Sequence, residues 1–185
     1  MKKLFVIVAA MFAFATVSAQ STNEIITKYN TGVEAIAAKE WAKAAEALEA
    51  VVRATIKIKL DIVSKDERES GLRRVLNLGH TIAHAIESGA NGRYNHGEAV
   101  AIGLIAIAEM ACKNNLIHPD DAKRIVNLCR CYDFEMDCIY VTSLISSIAK
   151  DKKRENDKLH LIVPRAIGKV EDMVVTFDEL IKMFN

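Results

Sequence analysis

The sequence predicts a mainly α protein with one small β-hairpin, and three observations carry that expectation. Apolar residues recur at helical spacing through most of the 185 residues. A single stretch, "KLHLIVPRAIGKVEDMVV" from Lys158 to Val175, alternates instead, as two short strands joined near Pro164 to Gly168 would. Helix start signals stand at both ends of the second half: Pro119 with Asp120 and Asp121, and Thr176 with Glu179 three positions on. A 51% share of hydrophobic residues beside 26% charged is enough to bury a core, which excludes a disordered chain. The net charge of +1 supplies no basic field, so nucleic acid is not an expected partner.

The first residues, "MKKLFVIVAAMFAFATVSAQ", place Lys2 and Lys3 before an uncharged run from Leu4 to Val17 and small residues ending at Ala19. A basic end, a short apolar stretch and V-S-A make a secretory leader the expectation for residues 1–19, with cleavage after Ala19. The run is shorter than the roughly 20 residues that span a bilayer, so no membrane span is expected once the leader is removed. Residues 20–52 are alanine-rich with helical periodicity interrupted near "AAKEW". Two antiparallel helices follow, with Trp41, Ala44, Ala45 and Leu48 on their shared face. This segment resembles one helical hairpin of a tetratricopeptide repeat, and no second copy is found.

The character changes near Val52 to Ala54, where a third unit, residues 53–185, is expected to begin. "RATIKIKLDIVSKDERESG" reads as a helix running into a charged turn stopped by Gly71. A histidine-bearing helix is expected over about Leu72 to Glu87, then a loop punctuated by Gly89, Gly92 and Gly97. "EAVAIGLIAIAEMACK" is apolar all round, so it should form a central buried helix. "HPDDAKRIVNLCRCY" and "VTSLISSIAKDKKREND" read as two further helices, and "TFDELIKMFN" closes the chain as a helix capped by Thr176. Cys112, Cys129, Cys131 and Cys138 lack the paired CxxC spacing of a zinc ribbon and are expected as reduced, partly buried thiols.

The residues that could do chemistry lie in "GLRRVLNLGHTIAHAIES". Arg73, Asn77, His80 and His84 are spaced four, three and four, which on one helix makes a continuous polar stripe. Burying such a stripe is costly unless each group finds a partner, and a metal, an anion or a polyol would provide one. His96 follows in a glycine-bearing turn that lets the backbone fold back toward the helix. Two imidazoles plus one carboxylate would leave zinc an open position for a substrate oxygen. Solvated or core-satisfied histidines remain the competing reading of the spacing alone.

From about Arg53 onward the chain resembles the C-terminal domain of 3-dehydroquinate synthase. The segments that carry the likeness are "IKIKLDIVSKDERESGLRRVLNLGHTIAHAIE", "YNHGEAVAIG" and "DKKRENDKLHLIVPRAIGKV". The resemblance implies a helical domain in which His80 and His96 hold zinc or another divalent ion such as cobalt. It sets Arg73, Asn77 and His84 around the phosphate, carboxylate and hydroxyls of a sugar-acid phosphate, with His84 relaying a proton. It brings Lys152, more than Lys153, to the substrate carboxylate. The family reaction cyclises a seven-carbon keto-sugar acid phosphate with loss of phosphate, using NAD as a transient hydride acceptor. Ala83 departs from the family's usual glycine, a change helix packing should tolerate.

The same resemblance implies a nucleotide-binding domain and a glutamate ligand on an earlier helix, and neither is legible in residues 1–52. No glycine-rich turn after a strand offers NAD a site there. The expectation is therefore an incomplete enzyme that needs a nucleotide-binding partner domain, with a homodimer as a further arrangement. The leader points to export and the family to the cytoplasm, which makes a fused or truncated gene product the favoured origin. An exported helical protein using the Tyr29 to Leu48 hairpin to contact a partner is the alternative.

Overall fold

The structure is a computed structural model, and it describes residues 19–90, 93–130, 143–144 and 158–185. Helix α1 (Ala19–Ala37) turns through Ala38 and Lys39 into α2 (Trp41–Lys65), and the two pack side by side. A 3-10 segment, Leu72–Asn77, leads into α3 (His80–Gly89), then α4 (His96–Lys113) and α5 (Pro119–Arg130). Strands β1 (Lys158–Ala166) and β2 (Lys169–Thr176) pair antiparallel, and α6 (Phe177–Phe184) ends the chain. The mainly α architecture with a single two-stranded hairpin is the one the periodicities predict.

The core is built on α4. Its sequence is apolar on every side, so it lies in the middle, with twelve residues from Ala99 to Ala111 buried. Helix α3 contributes Ile82 and Ile86 to one flank, α5 contributes Ile125 and Val126 to another, and β1 covers a third with Leu161, Ile162 and Val163. Each fully buried Ile or Leu stabilises the fold by roughly 1.5–3 kcal/mol relative to its exposed state. Four consecutive buried residues in β1, Leu161 to Pro164, show that this strand is enclosed on both faces. Its partner β2 has only Val175 buried among eight.

The caps are where the sequence placed them and in one place more. Thr176 Oγ1 accepts from the Glu179 amide at 3.2 Å, and Glu179 accepts in return from the Thr176 amide at 2.7 Å. Asn95 and Glu98 form a second capping box at the start of α4.

Several expectations are corrected. The region Leu72 to Glu87 is not one helix: a 3-10 segment ends at Asn77, and α3 starts afresh at His80 behind Gly79, whose φ is +79°. A residue in that left-handed region cannot continue a right-handed helix. His96 is not in a turn but is the first residue of α4. Of the shared face foreseen for the N-terminal pair, Ala44 and Leu48 do face α1. Ala45 is exposed, and Trp41 is 65% exposed. The buried row of α2 runs through Ala44, Val51 and Thr55 with Leu48 packed beside it, and Trp41, the first residue of the helix, stays outside that row. Helix α2 also runs unbroken through Val52 and Arg53. Residues 1–18, Cys131, Cys138, most of "VTSLISSIAKDKKREND" and both lysines of "DKK" lie outside the described residues.

Candidate metal and anion site

Asp66 organises the approach to the site. Just after α2, its carboxylate accepts the backbone N–H groups of Ser70 (2.8 Å), Gly71 (2.8 Å) and Arg73 (2.9 Å), and the Ser70 hydroxyl at 3.0 Å. Amides otherwise orphaned at the start of the 3-10 segment are thereby satisfied. The Arg73 amide, with those of Ser70 and Gly71, holds the Asp66 carboxyl well below the usual carboxylate range. Arg74 ties the other side of this segment to the hairpin, donating to Asp172 at 3.0 Å, while Asp172 also meets His160 at 2.8 Å.

Arg73 and Asn77 share a carboxylate partner, Glu69. The Asn77 amide donates to Glu69 Oε1, and Arg73 Nε lies 3.8 Å from Glu69 Oε2. Arg73 also donates to the Glu67 carbonyl at 2.8 Å. A carboxylate thus sits where these two donors converge, which is the chemistry an anionic ligand would use. Glu69 itself has φ +56°, an uncommon conformation for a residue with a side chain.

The three histidines form a second group. His80 opens α3, and His84 and Glu87 follow at four and three residues, so all three lie on one face. His96 opens α4, whose first turn meets the end of α3. Ring centroids are 5.2 Å apart for His80–His96, and 6.2 Å for His80–His84 and for His84–His96. Glu87 lies between the two outer rings, with Oε1 3.0 Å from His96 Nδ1 and Oε2 3.2 Å from His84 Nδ1. His80 Nδ1 lies 3.3 Å from the Leu78 carbonyl. Burial, reinforced by the neighbouring His96 and His84, pushes the His80 pKa below its ordinary value and favours the neutral ring a metal requires.

The spacing discriminates among the imidazoles. With zinc–nitrogen bonds of about 2.0–2.1 Å in a tetrahedral site, two bound imidazoles have ring centroids about 5 Å apart. His80 and His96 meet that separation, and His84 stands off from both. Among the described residues, no three His, Cys, Asp or Glu side chains form a complete ligand set. This pair supplies two of the four donors a tetrahedral site needs.

The sequence-predicted residues thus fall into two groups, Arg73 with Asn77 and His80 with His84 and His96. Glu69 and Glu87, which hold these groups, were not singled out from the sequence. Glu87 extends the four-three-four spacing of the polar stripe by three more residues, and that extension was the available signal.

A helical domain that gathers three imidazoles beside one carboxylate, and an arginine and an asparagine around another, defines a class of α domains with a clustered polar site. Comparison with known proteins narrows the class. A family described as 3-dehydroquinate synthase C-terminal matches residues 15–154, so the chain belongs to that family. The 3-dehydroquinate synthase of a Nitratiruptor species is 39% identical over 133 residues, 70% of this chain and 37% of that protein. That of Synechocystis sp. (strain ATCC 27184 / PCC 6803 / Kazusa) is 40% identical over 144 residues, 74% of this chain and 39% of that protein. The chain thus spans under two-fifths of the length of these curated relatives.

Among solved structures, a 2-deoxy-scyllo-inosose synthase complexed with carbaglucose-6-phosphate, NAD+ and Co2+ aligns with a TM-score of 0.60 at 25% identity, over 75% of this chain and 41% of that one. The 2-epi-5-epi-valiolone synthase ValA from Streptomyces hygroscopicus subsp. jinggangensis 5008, with NAD+ and Zn2+ bound, aligns with a TM-score of 0.65 at 20% identity. It covers 97% of this chain and 49% of its own, a likeness of fold. No helix among the described residues is long and apolar enough to cross a membrane.

Proposed function

We propose that this chain is the metal- and anion-binding half of a sugar-phosphate cyclase of the dehydroquinate synthase type. Its substrate is a seven-carbon keto-sugar acid phosphate, and a nucleotide-binding half must bring NAD. The observation that carries this reading is the 5.2 Å separation of the His80 and His96 rings, in a family whose relatives include metal-bound cyclases. His80 and His96 hold the divalent ion, which as a Lewis acid supplies polarisation of an alcohol or carbonyl oxygen.

The rest of the work belongs to the chain's own side chains. Arg73 and Asn77 bind the anionic and hydroxyl groups of the substrate, exchanging Glu69 for them. His84, more exposed and off the metal spacing, accepts and returns a proton beside the substrate. Lys152 pairs with the substrate carboxylate. Cationic and imidazole donors placed where the leaving phosphate gathers charge lower the barrier to its departure.

The test is titration of the metal-free chain with Co2+ or Zn2+. Substituting His80→Ala or His96→Ala is expected to abolish tight uptake, while His84→Ala retains it within a few-fold. Equal uptake by all four proteins removes the metal assignment.

A further inference from the structure

Resting on that reading of the histidine cluster, we propose that Glu87 is a positioning residue that locks His84 and His96 in the Nδ1–H tautomer. A carboxylate dictates the roles of the atoms it meets. Ionised, it only accepts, so each ring nitrogen it meets must donate. Glu87 Oε1 lies 3.0 Å from His96 Nδ1 and Oε2 lies 3.2 Å from His84 Nδ1. The hydrogen bond to His96 calls for a proton on its Nδ1, the 3.2 Å His84 contact favours the same on that ring, and either ring when neutral then carries its lone pair on Nε2.

A contact between His84 and Glu87 alone would be an ordinary i,i+3 pair on one helix. The second oxygen changes its meaning, because it reaches a ring on a different helix, α4, and sets the two imidazoles relative to each other. The Glu87 side chain is only 30% exposed, so water competes weakly for its oxygens. The His80 Nδ1 faces the Leu78 carbonyl, also an acceptor. All three rings then present Nε2. An imidazole whose other nitrogen donates to a carboxylate is held in orientation and made a better metal ligand or base.

The experiment uses the full 185-residue chain labelled with 15N and 13C, metal-free, at one fixed alkaline pH. Histidine tautomers are read from ring nitrogen and Cδ2 shifts in wild type, Glu87→Gln and Glu87→Ala. Wild type is expected to show His84 and His96 as Nδ1–H. Glutamine offers one accepting oxygen, so at least one ring should revert toward Nε2–H; alanine should release both. Unchanged tautomers in both variants overturn the proposal. If the alanine variant fails to fold, the near-isosteric glutamine decides alone.

Co2+ titration of the same proteins adds an arm independent of the tautomers. Loss of Glu87 is expected to weaken the ion by about 10–100-fold, the usual cost of removing such an outer partner. A wild type that takes up no Co2+ ends the metal reading while the tautomer comparison still tests Glu87. Tight wild-type uptake that depends on His80, with tautomers unmoved in the Glu87 variants, ends only this inference.

Discussion

Gly79 and Gly103 touch backbone to backbone. A Cβ at Gly103 would fall on the Gly79 carbonyl oxygen, and one at Gly79 would lie 3.1 Å from the Leu104 amide nitrogen and 3.2 Å from the Val100 carbonyl oxygen. This approach seats the start of α3 directly against the middle of α4, and His80 is the next residue. The left-handed φ of Gly79 ends the 3-10 segment and lets the chain turn into that position. The separation of the His80 and His96 rings therefore depends on two residues that have no side chains.

Gly103→Ala is accordingly expected to lower stability by about 1–3 kcal/mol, the usual cost of forcing a methyl into a closed core. Because the strain falls on the His80 turn, metal uptake should weaken in the same variant. Thermal unfolding and Co2+ titration check this together. A variant as stable as wild type would show that α3 can move away from α4 freely.

Asp66 predicts an acid-side dependence. Its carboxylate binds protons less readily folded than unfolded, because three backbone amides and the Ser70 hydroxyl stabilise the charged form. That contribution is complete above the ordinary aspartate value of about 3.9 and is lost progressively as pH falls below it. Asp66→Asn should be less stable than wild type at neutral pH, and the gap should close on acidification. Thermal midpoints measured from neutral pH to about pH 3 test the convergence; a constant gap contradicts it.

Cys129 is buried, and desolvation pushes its thiol pKa up to about 12. A thiolate is the reactive form, so this cysteine should resist alkylation in the native protein. Peptide mass analysis after brief iodoacetamide treatment should find Cys112, only half-buried, modified well before Cys129. Labelling at equal rates would mean that α5 opens readily.

The polypeptide supplied with the seven-carbon keto-sugar acid phosphate, NAD and zinc is expected to release no phosphate above background. The chain spans 37% of its Nitratiruptor relative, and hydride transfer requires a nicotinamide held by protein. Turnover above background would show that these residues are sufficient for the reaction.

Local patterns were legible because they are short-range. The all-round apolar run of α4, the alternation of Lys158 to Val175 and the Thr176–Glu179 box each declare an element within a few residues. The gathering of these polar residues was legible too, since His80, His84 and His96 lie together and Arg73 and Asn77 converge on Glu69. What was misjudged are features that depend on a neighbour distant in sequence. Gly79 sits in an apolar run that reads as continuous helix, and the break is favourable only where α4 presents a glycine to meet it. Trp41 has the bulk and helical spacing of a core residue, yet it stays 65% exposed at the first position of α2.

The sequence by itself determined most of the helices, the hairpin and the Thr176 cap, because backbone periodicity and capping are set by adjacent residues. Tertiary packing alone decided how those residues are shared out. It placed the rings of His80 and His96, sixteen residues apart, at 5.2 Å and left His84 at 6.2 Å from both. It also assigned Glu69 to Arg73 and Asn77 and Glu87 to two imidazoles, because only packed helices fix distances between side chains that the chain itself leaves free.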